Sequence, residues 1–333
     1  MPARGDRKVL VIALSILLVF QTIIFASVPG ALDESRINVV VKSGTSLYGI
    51  ARMLKDEGMI YSTNLFVLAS LLYGGKLKAG EYEVSKDMST LQIVRKMAHS
   101  ERNVYTLKIV QGYNIYTVAD AIAENRIMEK QEFLRLCRDR IFLKNLGINA
   151  DSLEGYLSPD TYYYSREIDA DKFIEKIAQR TLRFFEKADV RERMRAENLD
   201  VNQTLTLASM IEKEAKMSTE KPLISAVFHN RLQRGMSFDS DPTVIYGTKA
   251  FGSPITKADL ITYTPYNTYT FRGFPKGPIC NPDTTSIMAV LYPAPVDYLY
   301  FVSKNDGTHV FSKDMNEHNK YVAMYQKSKS AKK

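Results

Sequence analysis

The chain has 333 residues, 45% hydrophobic and 25% charged, with 17 Gly and 12 Pro, which excludes collagen-like, wholly disordered and polytopic membrane classes. Lys and Arg outnumber Asp and Glu by 45 to 37, a net charge of +8 spread thinly and never as a basic helix interleaved with aromatics, so nucleic acid is not an expected partner. Two separated cysteines, Cys137 and Cys280, and four histidines without HExxH spacing exclude a disulfide framework, a thiolate zinc site and a histidine-rich metal centre.

The first expected segment, residues 1–8, is basic through Arg4, Arg7 and Lys8. Residues 9–32 carry no charge and suffice for the roughly 20 apolar residues that cross a bilayer as a helix. The preceding cations keep the N-terminus cytoplasmic and place the rest of the chain across the membrane, with the lipid bilayer as one partner. The alternative is a cleaved signal peptide, with Ser27-Val28-Pro29-Gly30-Ala31 near the cut site; the apolar run exceeds the usual h-region of about 7–15 residues.

Residues 33–104 read as an α+β subdomain. Ile37–Val41 is β-branched and ends at Ser43-Gly44; Ser46 then caps a helical spacing of Leu47, Ile50, Ala51 and Leu54 that stops at Gly58. Leu77–Val84 predicts a turn into a strand, and Ser89 caps a helix through Met97. The first pattern recurs 68 residues on, matching Gly44 with Gly112, Leu47 with Ile115, Tyr48 with Tyr116, Ile50 with Val118 and Ala51 with Ala119. This second strand–turn–helix unit opens the expected segment 105–199. There Asp171 to about Ala188 predicts an amphipathic helix, and the charged run Arg191–Leu199 a solvated stretch.

Residues 200–333 hold the chemistry. Asn202–Lys216 has a helical period; with Leu207 at zero, Glu214 falls at about 340°, between Met210 and Ile211, while Glu212 at about 140° faces the polar edge. A carboxylate on the apolar stripe loses solvation and gains the raised pKa that a general acid needs. The bland alternative is a helix-end Glu that swings into water. A second helix starts near Ser218, carries Pro222 in its first turn and Asn230-Arg231 near its end, and stops at Gly235. The segments 240–247, 263–270 and 273–282 are rich in Asn, Thr, Tyr, Pro and Gly. That composition suits a glycan groove and equally suits ordinary turns.

Met210-Ile211-Glu212-Lys213-Glu214, Val227–Leu232, Asp241–Tyr246, Tyr266–Tyr269, Gly277-Pro278-Ile279, Tyr298–Val302 and His309-Val310-Phe311 together resemble the endolytic murein transglycosylases of the MltG (YceG-like) family. Glu154–Tyr162 and the apolar N-terminal segment match that family too, and Val41–Ala51 resembles the opening of a LysM module. The resemblance implies an α+β protein: a transmembrane helix, a LysM-like subdomain and a lysozyme-like catalytic domain. It also implies a cofactor-free lytic transglycosylase that cuts nascent peptidoglycan glycan strands internally, with a penicillin-binding protein as a further partner. It places the catalytic acid at Glu214, the residue the helical wheel selects. Asn267, Tyr269, Thr243, Tyr246 and Asn230 are the candidate substrate-binding residues. Two rival readings are a lysozyme-type hydrolase using Asp241 as second carboxylate and an anchored glycan-binding scaffold without activity.

Overall fold

The computed structural model describes residue 13, residues 35–249 and residues 251–327. The expected anchor, apart from that single residue, and the basic tail beyond 327 lie outside the described residues. Among the described residues no helix is long and apolar enough to cross a membrane.

The chain divides into two compact units, the first spanning residues up to Thr106 together with Tyr163–Asp169. It opens with β1 (Arg36–Val41), α1 (Leu47–Asp56), α2 (Thr63–Leu72) and β2 (Gly80–Ser85), then α3 (Thr90–Ala98). β1 and β2 pair antiparallel, with Val41 opposite Gly80 and Arg36 opposite Ser85. Strand alternation sends Val39 and Val41 into a core with Ile50, Leu54, Phe66, Tyr82, Ile93 and Met97. Ser46 caps α1, and Ser89 with Gln92 forms a capping box on α3. The helix α2 was not anticipated from the sequence: its TNLFVLASLL run is apolar on most sides and shows no clean period.

The second unit comprises Leu107–Tyr162 and Ala170–Lys333. In chain order come β3 (Tyr105–Ile109), α4 (Ile115–Glu124), α5 (Lys130–Leu136), α6 (Arg140–Asn145), β4 (Asp160–Tyr164), α7 (Ala170–Phe185) and α8 (Ala188–Ala196). Then follow α9 (Val201–Glu214), α10 (Lys221–Gln233), α11 (Asp241–Thr248), α12 (Lys257–Ile261), α13 (Thr284–Leu291), β5 (Tyr300–Ser303), β6 (His309–Ser312) and α14 (Met315–Val322). β3 pairs with β4 and β5 with β6, so among the described residues the sheet structure is two-stranded ribbon and the fold is mixed, dominated by helix. The segments expected as 105–199 and 200–333 share this one compact unit, apart from 163–169 and the start of β3.

The 68-residue repeat persists in backbone detail. α1 and α4 have the same length in the same register, capped by Ser46 and Asn114. Gly44 and Gly112 take φ of +85° and +79°, where a Cβ would be strained. The match extends to the helix exits: Gly58 and Arg126 have φ of +69° and +53°, and Met59 and Ile127 each donate back to the carbonyl five residues earlier.

Two sequence expectations are corrected here. Asp241–Thr248, expected as loop, is a helix, because Pro242 lies in its first turn, where the missing N–H costs nothing. Arg191–Leu199 is not simply solvated, since α8 and the residue after its turn bury Val190, Met194 and Leu199. Arg193 also donates from Nε and Nη2 to the Leu291 carbonyl, at 2.9 and 2.7 Å.

Candidate active site

The helix α9 is enclosed rather than amphipathic: all eight residues from Thr204 to Ile211 are buried. Asp200 and Gln203 close its N-terminus in a capping box. Its last residue, Glu214, lines a cavity of about 400 Å³ with Asp241, Tyr269, Arg231 and residues of β5 and α14. Ser240 Oγ donates to Glu214 Oε1 at 2.7 Å. Burial pushes the Glu214 carboxyl up to about 7; the Ser240 hydrogen bond opposes this, the Asp241 charge adds to it and Arg231 works against it. The residue is half-buried and lines the cavity.

Glu212 contradicts the helical wheel. Its side chain is 5% exposed and pairs with the equally buried Lys221 Nζ at 3.1 Å. Asp283 N and Ser286 Oγ also donate to Glu212 Oε2, at 3.2 and 2.6 Å, and Lys221 Nζ reaches Asp283 Oδ1 at 3.0 Å. The starts of α10 and α13 thus close over the face of α9 that sequence spacing marks as polar. The network is committed to holding the last turn of α9, two residues before Glu214.

The expected binding residues separate into three groups. Tyr269 is the one that shares the Glu214 cavity, where its Oη donates to Asp241 Oδ1 at 2.7 Å. Thr243 and Asn267, expected to bind substrate, are fully buried and make internal hydrogen bonds. Thr243 Oγ1 donates to the Ser240 carbonyl at 2.6 Å and bonds Thr268 Oγ1, which accepts from Ser240 N at 3.1 Å. These two threonines therefore fix the backbone of the residue that holds Glu214. Asn267 Nδ2 donates to the carbonyls of Asp259, Leu260 and Thr262, and its Oδ1 accepts from Tyr269 N at 3.0 Å. Its amide is spent on folding the loop that presents Tyr269.

Asn230 and Tyr246 lie apart from that cavity. Asn230 Nδ2 donates to the carbonyls of Val296 and Tyr298, both at 2.9 Å, and lines a separate cleft of about 540 Å³. The larger volume does not make that cleft the better candidate, since Glu214 and its carboxylate neighbour Asp241 are elsewhere. Tyr246 is buried and donates to Glu154 Oε2 at 2.7 Å. Both Glu154 oxygens also accept from Ile115 N, at 3.2 and 3.0 Å. Burial pushes this carboxyl up to about 7 against the Ile115 and Tyr246 hydrogen bonds. Gly155 beside it has φ of +85°, and a Cβ there would lie 2.6 Å from Pro278. The backbone thus packs directly on the Gly277-Pro278 loop.

Cys280, within that loop, is buried and points its thiol at the Ser209 carbonyl, 3.4 Å away. Sequence reasoning missed Asn281. Its backbone exchanges hydrogen bonds with residues 112 and 113, its Nδ2 donates to the Tyr113 carbonyl and its Oδ1 accepts from Leu157 N. Among the described residues no group of acidic, histidine or cysteine side chains could hold a metal ion.

A sequence model of the YceG-like family matches residues 39–324, which is most of the chain. The chain belongs to the YceG-like family. An endolytic murein transglycosylase of Bacillus subtilis is 30% identical over 317 residues, covering 90% of this chain and 88% of that protein. An endolytic murein transglycosylase of Streptococcus pneumoniae serotype 2 is 26% identical over 89% of this chain, which spans 60% of the pneumococcal protein. A crystal structure of a yceG-like protein from Listeria monocytogenes aligns with a TM-score of 0.60 at 33% identity, covering 86% of this chain and 99% of that one.

Proposed function

We propose that this protein is a lytic transglycosylase that cuts peptidoglycan glycan strands internally, with Glu214 as its one acid–base residue. The observation that carries the reading is a carboxyl held near 7 by burial, with Ser240 as its fixed partner, at the wall of a solvent-open cavity. The B. subtilis and S. pneumoniae relatives, endolytic murein transglycosylases by name, support it.

Protonated Glu214 donates to the oxygen bridging MurNAc and GlcNAc, and the bond from that oxygen to MurNAc C1 breaks. The MurNAc C6 hydroxyl closes onto C1, and the Glu214 carboxylate takes its proton, leaving a 1,6-anhydro end. Because the nucleophile belongs to the substrate, effective molarity replaces an activated water. A pKa near neutrality suits both halves, since the group must give and take a proton in one turnover. Tyr269 and Asp241 contact the sugar, while Thr243, Thr268 and Asn267 position the residues that do.

Residues 9–32 serve as the inner-membrane anchor, with the remainder of the chain on the extracytoplasmic side. The order β1-α1-α2-β2 with antiparallel strands supports a LysM-like reading of the first unit. A penicillin-binding protein, as the synthase that makes the strand, is the proposed partner.

The deciding experiment is mass spectrometry of fragments from uncrosslinked glycan strands, with wild type and Glu214→Gln side by side. Wild type yields anhydro-ended fragments and the variant yields none. Asp241 in the same cavity favours one rival, hydrolysis with a second carboxylate; reducing-ended fragments from wild type establish that mechanism instead. Equal cleavage by the variant removes Glu214 from the chemistry.

A further inference from the structure

Residues of β5 and α14 line the cavity that holds Glu214, and one of their polar groups is used by nothing in the proposed chemistry. His318 lines the cavity, and its Nδ1 is buried with no hydrogen-bond partner. The imidazole lies on the Tyr300 ring, with centroids 5.2 Å apart and planes at 34°. Tyr300 in turn carries the Arg231 guanidinium at 5.1 Å, and Arg231 is tied down by the carbonyls of Leu299 and Phe238 and by Asp239 Oδ2. The ring is therefore held by packing on a fixed support.

Its protonation follows from its surroundings. Burial, reinforced by the positive charge of Arg231, lowers the His318 pKa and keeps the ring neutral. A neutral imidazole has one N–H, and placing it on Nδ1 would bury a donor without an acceptor. The proton belongs on Nε2, the nitrogen left open, so the ring offers an uncharged donor beside Ser303 and Gln326, which line the same cavity. Glu214, Asp239 and Asp241 line the same cavity and disfavour an anionic group there. Apolar surface accompanies the donor: the Tyr300 ring lies against the imidazole, and Phe301 and Met315 line the same cavity. A neutral donor framed by apolar surface fits an amide carbonyl attached to a methyl group better than it fits a bare hydroxyl.

We infer that this wall is a subsite for the acetamido group of an N-acetylated sugar, with His318 Nε2–H donating to its carbonyl oxygen and Tyr300, Phe301 and Met315 receiving its methyl. The inference rests on reading the cavity as a glycan site. It adds a specificity determinant on α14, far in sequence from α9.

The test uses the full chain in detergent micelles with 15N-labelled histidine, the His318 signals being assigned from their loss in His318→Gln. The N-acetylglucosamine tetramer shifts the His318 Nε2 resonance, and the glucose tetramer at the same concentration does not. In competition with strand cleavage, the inhibition constant of the N-acetylglucosamine tetramer rises about fivefold to tenfold in His318→Phe, the scale of one neutral hydrogen bond. It lies between wild type and His318→Phe in His318→Gln, which keeps an amide donor. A ring signal unmoved by the N-acetylated sugar, or moved equally by both sugars, overturns the subsite. Absence of strand cleavage by wild type overturns the proposed function alone, because the ring signal still decides the subsite.

Discussion

Glu154 and Glu214 sit in the same compact unit, and burial pushes both carboxyls up to about 7. Their surroundings differ. Glu154 is 1% exposed and spends its oxygens on Ile115 N and Tyr246 Oη, so it joins the start of α4 to α11 and is closed off from solvent. Glu214 has one fixed partner, Ser240, and otherwise faces a cavity. A perturbed acid is thus only half of a catalytic group: desolvation sets the proton affinity, and an open side lets the proton go somewhere useful. Glu212 is a third case, buried like the others but neutralised by Lys221 within an ion network.

The comparison breaks most sharply on activity. Glu214→Gln is expected to lower strand cleavage by about 10²–10⁴-fold, the usual contribution of a general acid, with the thermal midpoint unchanged or raised. Glu154→Gln is expected to leave cleavage within about tenfold. If the glutamine at 154 abolishes turnover in a folded protein, access to a cavity is not what separates the two acids.

Next in size is the ion network. Lys221→Met strands Glu212 as a buried charge, at a cost of about 3–5 kcal/mol in urea unfolding, whereas Lys213→Met, at an exposed position, changes stability by less than about 0.5 kcal/mol. Equal effects at the two lysines would remove the network from the account of how α9 is held.

The pH dependence sharpens the pair further. A carboxyl raised from 4.5 to about 7 favours the neutral form in the fold. The stability it contributes is fully present below about pH 4.5 and is lost as pH rises through about 7, amounting to about 3 kcal/mol for the fully buried Glu154. Urea midpoints are therefore expected to fall between pH 5 and pH 8, and Glu154→Gln to flatten that slope. Strand cleavage is expected to fall above about pH 7, where Glu214 no longer carries its proton.

The smallest expected effect separates contact from support. Tyr269→Phe loses the hydrogen bond to Asp241 and is expected to reduce kcat/KM about threefold to tenfold without altering the unfolding midpoint. Asn267→Ala leaves three loop carbonyls without their amide donor and is expected to lower stability by about 2 kcal/mol or more. Reversed outcomes would put Asn267 in contact with substrate after all.

Local signals in the chain were sufficient for much of the first unit. Ser46 and Ser89 mark helix starts because a side-chain oxygen satisfies a free backbone N–H, and that requires only neighbouring residues. The 68-residue repeat was readable for the same reason: a strand, a left-handed Gly and a capped helix are each specified within about ten residues. The period of α9 also brought Glu214 forward. The same wheel misplaced Glu212, because it counts the face of one helix and knows nothing of the elements that will cover it.

Local geometry and composition were enough for the mixed fold class, for the helices α1, α3, α4, α7, α9 and α10, for the repeat and for the position of Glu214 at the end of α9. The internal hydrogen bonds of Thr243 and Asn267, the place of Tyr269 at the cavity and the meeting of Glu154 with Tyr246 across 92 positions of chain emerge only on folding. Desolvation and hydrogen-bond partnership depend on what arrives from far along the polymer, and a spacing rule carries no record of it.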